Sequence, residues 1–224
     1  ALHLSANGTL TPIAGSTRSL SAAATGPAQV SFDPSGDWLV VTEKATNKID
    51  TWRVGSDGLA SNRVVNASSG ATPFGFTFIK HGVLVVTEAF GGAVDASAVS
   101  TYSINSNGTL SVISASVPTS ETAACWIVGT NSGKFVFATN TGSASVSGFA
   151  SKKGNLDLLD AGGKTANTGA TPIDIAISTN SQFLYTLNAG AHTIAGFDVS
   201  QSKGDLSANG SASVPTGAVG LAAN

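Results

Sequence analysis

The amino-acid sequence predicts an all-β fold built from a repeated four-stranded unit, and three observations lead to this prediction. A Gly-Leu or Gly-x-Leu turn recurs along the chain, and its glycines are spaced by 50, 50, 46 and 50 residues. Short apolar runs separated by turn residues lie between these turns, a pattern typical of strands. No stretch combines helical periodicity with helix caps. A period of this length indicates a repeat architecture.

The landmarks within each repeat follow one order. The turns contain Gly8, Gly58, Gly108, Gly154 and Gly204. About eighteen residues after each turn a short apolar strand begins, commonly at a proline such as Pro27, Pro73 or Pro172. A tight turn then leads into a nearly continuous apolar run, of which residues 38–41 are the first, and this composition predicts a strand buried on both faces. An alternating third strand follows, as over residues 49–54.

Four short antiparallel strands in every repeat are typical of the blades of a β-propeller. We therefore predict one all-β propeller domain over residues 1–224, with about four and a half blades in this chain. The predicted blades are 1–14 (the end of a blade), 25–65, 71–115, 122–161, 170–211 and 216–224 (the start of a blade). An arc of blades exposes apolar faces and strand edges, so we expect a missing segment, a companion chain or a second copy to complete the ring.

Composition excludes several classes of protein. Charged residues make up only 11 % of the 224 residues, and the net charge of −2 offers no basic field for nucleic acid. No apolar run approaches the roughly 20 residues that span a bilayer. The hydrophobic content of 42 % argues against disorder. Scarce lysine and abundant small polar residues favour an extracellular or periplasmic location.

The repeat resembles the lactonase family of seven-bladed β-propellers, which includes the bacterial 6-phosphogluconolactonase type and the fungal carboxymuconate cyclases. It is also similar to the YVTN-type propellers of cell-surface proteins. Residues 25–36 (TGPAQVSFDPSG), residues 183–190 (FLYTLNAG) and the Gly-Thr-Leu turns carry the resemblance. The resemblance implies seven blades in the intact ring, of which this chain is the C-terminal two-thirds. The motif is specific for architecture and weak for chemistry.

The presumed catalytic groups of that family do not carry over to this chain. The resemblance implies an Arg and a His directly after the proline that opens the first strand, pointing towards the central channel. The corresponding pairs contain neither residue: they are Ala28 and Gln29, Phe74 and Gly75, Cys125 and Trp126, Ile173 and Asp174, and Val219 and Gly220. Lactone hydrolysis requires a clamp for the developing oxyanion and a base that activates water. We therefore expect any such clamp to lie outside these residues.

Polar residues follow the apolar second strands at equivalent places, namely Glu43, Glu88, Asn140 and Asn188. We expect this polar ring to face one end of the propeller near the channel mouth. Glu43 and Glu88 are the candidate catalytic carboxylates, and with Asp174 they would form an acidic pocket for a cation, an amine or a general base. Asn140, Asn188 and Asp174 are candidate ligand-binding residues. The alternative is that these side chains cap loop amides at the strand ends.

Three further side chains, Gln29, Lys44 and Trp126, are candidate ligand-binding residues on the channel side. Trp126 would stack on a ligand such as a sugar and Lys44 would anchor an anion, whereas core packing and simple exposure are the respective alternatives. The loop over residues 89–98 carries five extra residues relative to the other blades, and binding residues concentrate on such loops. No pair of histidines has metal-ligand spacing and no cofactor motif is present, so we assign neither a metal nor a cofactor.

Three hypotheses about function follow. The first is a lactonase-like propeller that binds a small molecule, such as a lactone or a sugar acid, or a partner at its channel mouth and does not catalyse. The second is a hydrolase of sugar or acid lactones whose clamp residues lie in other blades. The third is an extracellular interaction scaffold. The missing Arg and His favour the first.

Overall fold

The computed structural model describes all of residues 1–224 and contains four complete blades preceded by a two-stranded hairpin. The hairpin pairs β1 (Leu2–Leu4) with β2 (Leu10–Pro12). Blade I comprises β3 (Pro27–Phe32), β4 (Trp38–Glu43), β5 (Lys48–Val54) and β6 (Ala60–Ala67). Blade II comprises β7 (Pro73–Ile79), β8 (Val83–Glu88), β9 (Ala98–Ile104) and β10 (Leu110–Pro118).

The other two blades repeat this order. Blade III comprises β11 (Ala124–Gly129), β12 (Phe135–Asn140), β13 (Ser145–Lys152) and β14 (Asn155–Leu158), and the short β15 (Ala166–Asn167) also pairs with β13. Blade IV comprises β16 (Pro172–Ile177), β17 (Phe183–Asn188), β18 (Thr193–Val199) and β19 (Leu206–Ser213). Two single 3₁₀ turns, Lys80–Gly82 and Phe90–Gly92, are the helical elements. The prediction of antiparallel four-stranded propeller blades is confirmed.

The apolar core consists of layers between successive blades, because the second strands are buried on both faces. In blade II, Val83 and Val85 pack towards blade III, whereas Leu84 and Val86 pack towards blade I. This alternation is the two-residue period of a strand, with a neighbouring blade on each side. The layer between blades III and IV is built in the same way around Phe137 and Leu184.

The two ends of the chain are packed differently. At blade I, a fourth apolar cluster of Val41, Trp52 and Ala60 is covered in part by Leu20 of the preceding linker. Residues 214–224 form no strand, although we predicted a first strand over residues 217–223. Nothing in this chain supplies a second strand with which that segment could pair.

Candidate functional site

Every first strand contains a register shift close to its beginning. The shift lies between Pro27 and Val30 in blade I, and at the equivalent places between Pro73 and Phe76, Ala124 and Ile127, and Pro172 and Asp174. A β-bulge re-aims side chains out of the regular pleat. The bulges coincide with the pairs at which the family resemblance implies Arg and His. The bulges therefore set the side chains at these places apart from the regular alternation of the strand.

Hydroxyl groups of each blade hold the bulge of the next blade. Thr42 Oγ1 donates a hydrogen bond to the Phe74 carbonyl at 2.5 Å, and Thr87 Oγ1 donates to the Cys125 carbonyl at 2.6 Å. Thr141 Oγ1 donates to the Pro172 carbonyl at 2.8 Å. These bonds satisfy carbonyl groups that the bulge removes from the strand ladder. The residues presented by the bulges are therefore positioned by two blades.

At the bulges of blades II and III, two aromatic side chains and a lysine form a row across three blades. The rings of Phe74 and Trp126 meet edge to face, with centroids 5.5 Å apart. The ammonium of Lys44, which directly follows β4, lies 4.7 Å from the centroid of the Phe74 ring. All three residues are half-buried. We call Lys44, Phe74 and Trp126 the channel row.

Cys125 lies beside this row and is itself half-buried. Burial raises the pKa of its thiol, while a hydrogen bond with Thr141 and the charge of Lys44 act in the opposite direction. A raised pKa keeps the sulfur in the thiol form and disfavours nucleophilic chemistry. The row therefore offers stacking surfaces and one cation, without a nucleophile.

Gln29 and Asp174, at the bulges of the outer two blades, are occupied by backbone partners. The Gln29 carboxamide donates to the Phe76 carbonyl at 2.9 Å and accepts from the Phe76 amide at 2.8 Å. Asp174 accepts from the amide of Ile175 at 2.8 Å and from the amide of Leu221 at 2.7 Å. Gln29 thus ties blade I to blade II, and Asp174 holds the C-terminal segment.

The polar ring does not open onto the channel mouth as we expected. Glu43, Glu88, Asn140 and Asn188 are all completely buried. Side chains stand perpendicular to a strand, so a residue at a strand end points into the space between blades rather than along the strand towards the mouth. Glu43 and Glu88 consequently do not form one acidic pocket with Asp174.

Glu88 is held by donors from its own blade II and from the linker that precedes this blade. One carboxylate oxygen accepts from the Gly70 amide at 2.7 Å and from Ser100 Oγ at 2.6 Å. Ser68 Oγ donates to the same oxygen at 3.3 Å, and Ser116 Oγ donates to the other. These contacts are those of a carboxylate that caps loop amides and hydroxyls. A catalytic role for Glu88 stays a prediction.

Glu43 caps the linker that precedes blade I. Its carboxylate accepts from the Ser21 amide at 2.8 Å, from Thr46 Oγ1 at 2.5 Å and from the Ser21 hydroxyl. Burial acts to raise its pKa, but the hydrogen bonds of Ser21 and Thr46 hold that pKa below the usual value. Its catalytic role likewise stays a prediction.

The two asparagines make similar local bonds. Asn140 donates to Ser145 Oγ at 3.0 Å and to Ser147 Oγ at 2.8 Å. Asn188 donates to Thr193 Oγ1 at 3.2 Å and accepts from Thr186 Oγ1 at 3.0 Å. Ligand binding by these residues stays a prediction.

Asp50 is a buried carboxyl group that we did not single out from the sequence. It is completely buried beside Glu43, and no hydrogen-bond donor of the protein reaches either of its oxygens. Arg63 Nε lies 4.0 Å from Asp50 Oδ2. Burial, followed by the charge and hydrogen bonding of Glu43, raises the pKa of Asp50 to about 7, although the charge of Arg63 acts against this shift. The sequence does contain a signal for Asp50. It is a charged residue at a third-strand position where blades II and III have the neutral residues Ser100 and Ser147.

The long loop between β8 and β9 lies against both flanking linkers. The Gly91 amide donates to Thr72 Oγ1 at 2.9 Å, and the Asp95 amide donates to Thr122 Oγ1 at 3.0 Å. The loop is exposed over residues 91–95, and Val94 is 79 % exposed. It adds surface on the side where the first strands begin, the side that carries the channel row.

An apolar cavity lies away from the channel row, on the open face of blade I. It has a volume of about 440 Å³ and is lined mainly by apolar side chains, among them Val30, Phe32, Leu39 and Trp52. Val30 and Phe32 are each more than half exposed. This cavity is an uncovered and mainly apolar blade face.

Comparison with known proteins identifies the family. The family described as "Lactonase, 7-bladed beta-propeller" matches residues 8–219. The chain belongs to this lactonase family of seven-bladed β-propellers. No curated protein matches the chain. No helix of the structure has the length and apolar character needed to cross a membrane.

Solved structures share the fold at low sequence identity. A candidate 6-phosphogluconolactonase from Bacteroides uniformis superposes with a TM-score of 0.77 at 18 % identity, over 95 % of this chain and 64 % of that one. A protein from Lactobacillus plantarum gives 0.78 at 18 % identity, over 96 % and 64 %. The periplasmic gluconolactonase of Pseudomonas aeruginosa gives 0.76 at 17 % identity, over 96 % and 63 %. This chain therefore spans slightly less than two-thirds of the length of these proteins.

Proposed function

We propose that this lactonase-family chain binds a small sugar acid or its lactone at the channel row, and that its own residues do not hydrolyse the lactone. The observation that carries the proposal is the half-buried row from three successive blades in which Lys44 contacts Phe74 and Phe74 contacts Trp126. Aromatic faces stack on the apolar faces of sugar rings, and the Lys44 ammonium supplies the countercharge for a carboxylate.

The absence of a clamp among the bulge residues supports binding over hydrolysis. Hydrolysis of a lactone places negative charge on the former carbonyl oxygen, and donors must be aimed at that position. The bulge pairs of this chain contain no Arg and no His. Of the polar residues there, Gln29 and Asp174 are already bonded to backbone groups.

A titration with D-gluconate and D-glucono-1,5-lactone tests the two parts of the proposal separately. Binding is measured by calorimetry for the unchanged chain, for Lys44→Gln and for the exposed control Lys164→Gln. We expect the Lys44 variant to bind gluconate about tenfold more weakly, as the loss of one partly buried charged contact of ~1.4 kcal/mol predicts. Equal affinities in both variants would overturn the binding site.

Hydrolysis is measured by lactone disappearance against the uncatalysed rate. We expect no acceleration by this chain. Turnover that is abolished by Glu43→Gln or Glu88→Gln in a variant that remains folded would instead establish the hydrolase hypothesis for these carboxylates.

We also infer that further blades cover the open face of blade I. The apolar cavity on that face and the exposed Val30 and Phe32 support this inference, since such surfaces are normally covered. The covering blades could come from further residues of a longer chain, from a companion chain or from a second copy. A monodisperse native mass equal to one copy of these 224 residues would contradict coverage by a companion chain or a second copy.

We further propose a location outside the cytoplasm. A low charge content of 11 % and the printed description of the Pseudomonas aeruginosa neighbour as periplasmic support this proposal. Recovery of the protein in the cytoplasmic fraction of the native host would contradict this location.

A further inference from the structure

A second cavity lies at the end of the propeller opposite the channel row. It has a volume of about 210 Å³ and lies between blades II and III. Its walls come from the turn between β7 and β8, the turn between β11 and β12, and the hairpin between β13 and β14. The cavity is therefore separate from the proposed sugar-acid site and independent of it.

Basic side chains dominate the walls of this cavity. Lys80, Lys134, Lys152 and Lys153 line it together with His81. These are half of all lysines in a chain whose net charge is −2, the others being Lys44, Lys48, Lys164 and Lys203. No Asp or Glu lines the cavity. We call these four lysines the lysine cluster.

The lysine cluster has no internal countercharge. The ion pairs of the structure join Arg53 to Asp37 and Arg63 to Asp50, so no ammonium of the cluster lies within 4.0 Å of a carboxylate. Like charges that share one cavity repel each other, and a bound anion would relieve that repulsion. The hydroxyl groups of Ser132 and Ser151 in the same walls add neutral hydrogen-bond donors.

The backbone that carries the lysines is fixed by contacts between the two blades. Thr101 Oγ1 of blade II donates to the Gly154 carbonyl at 2.6 Å, and the Leu156 amide donates to Ser114 Oγ at 3.0 Å. A Cβ added to Gly133 would lie only 2.9 Å from the Cβ of Lys80, so these two turns are in close contact. A site assembled from rigid turns requires little ordering of the backbone on binding.

From this arrangement we propose that the lysine cluster is a binding site for a phosphate or sulfate group, free or carried by a small molecule. Ammonium groups on flexible stems bind such anions as point charges. The cavity is smaller than the 300–1,000 Å³ typical of sites for drug-sized ligands, which fits an anion with few further atoms. A larger polyanion would need a basic surface beyond this cavity.

The test compares two matched pairs of exposed lysines. Lys134→Gln/Lys153→Gln removes half of the lysine cluster, and Lys164→Gln/Lys203→Gln removes the same charge elsewhere. Thermal unfolding is followed in sodium phosphate and in sodium chloride at equal ionic strength. Phosphate stabilises proteins generally by exclusion from their surface, so only the difference between the two paired variants is informative.

We expect phosphate to raise the unfolding midpoint of the unchanged chain and of the control pair by about 3 °C more than that of the cluster pair. The same comparison is made with glucose 6-phosphate against glucose. If neither phosphate nor glucose 6-phosphate shifts the unfolding midpoints of the two paired variants differently, the proposal is overturned. A cluster-dependent shift with inorganic phosphate identifies a free anion as sufficient. The same dependence seen only with glucose 6-phosphate identifies a phosphorylated small molecule.

Discussion

The ammonium of Lys44 lies over the ring of Phe74, with its nitrogen 4.7 Å from the ring centroid. The two residues belong to adjacent blades, and Phe74 in turn contacts Trp126 of the following blade. A cation–π contact of this kind contributes about 0.5–1 kcal/mol at a partly exposed site. It is therefore a weak structural contact, and its geometry keeps a cation beside two stacking surfaces. That combination is the basis of the proposed site.

The first prediction concerns Trp126. Trp126→Leu removes the stacking surface and is expected to weaken gluconate binding by about tenfold, the scale of a lost aromatic contact of ~1–1.5 kcal/mol. Gluconate should also change the tryptophan fluorescence of the unchanged chain but not of this variant. Trp38→Phe, in the strand β4, is the control and should retain the fluorescence response. A response carried by Trp38 would contradict the prediction.

The second prediction concerns the close approach of β7 and β11. A Cβ added to Gly75 would lie 2.5 Å from the Cys125 carbonyl oxygen and 2.9 Å from Trp126 Cε3. Gly75→Ala is therefore expected to lower the free energy of unfolding by about 1–3 kcal/mol and to displace the Trp126 ring. Gly162→Ala is the control, because nothing lies within 4 Å of its added Cβ. Chemical denaturation measures both variants, and equal stabilities would refute the prediction.

The third prediction concerns the hydrogen bonds of Glu88. A glutamine at this position replaces one acceptor oxygen by an amide group, so it cannot accept from all four donors. Glu88→Gln is expected to lower the free energy of unfolding by about 1–3 kcal/mol while gluconate affinity remains unchanged. Calorimetric binding at a temperature where the variant is folded provides the check. Loss of affinity without loss of stability would place Glu88 in the binding site instead.

The fourth prediction is a pH dependence that arises from Asp50. The pKa of this carboxyl is about 7 in the folded protein and close to 3.8 in the unfolded chain, so the folded state binds the proton more tightly. Stability is therefore expected to fall as the pH rises from about 4 to 7 and to stay reduced above that. Asp50→Asn is neutral at every pH and should be more stable than the unchanged chain at pH 8 by on the order of 2–4 kcal/mol.

Urea unfolding at pH 5 and pH 8 measures this effect. Asp37→Asn is the control, since Asp37 is an exposed partner of Arg53. The prediction fails if the Asp50 and Asp37 variants show the same change between the two pH values.

The blades could be predicted from the sequence because turn glycines, apolar runs and alternating strands repeat at one period. The orientation of Glu43 and Glu88 could not, since a position along a strand does not say which neighbouring blade the side chain meets. The loop over residues 89–98 was visible as extra length, but not its bonds to Thr72 and Thr122. Trp126 and Lys44 were visible as single residues. Their connection through Phe74 depends on bulges that only the packing of neighbouring blades defines.

We propose that the channel row binds a sugar acid through Lys44 and the two rings without hydrolysing its lactone. Its most direct test is a calorimetric titration of D-gluconate into the unchanged chain and into Lys44→Gln, with Lys164→Gln as the control. We predict saturable binding to the unchanged chain and the control, and affinity about tenfold lower for Lys44→Gln. Absence of gluconate binding, or the same affinity in all three proteins, would show that the channel row is not the binding site.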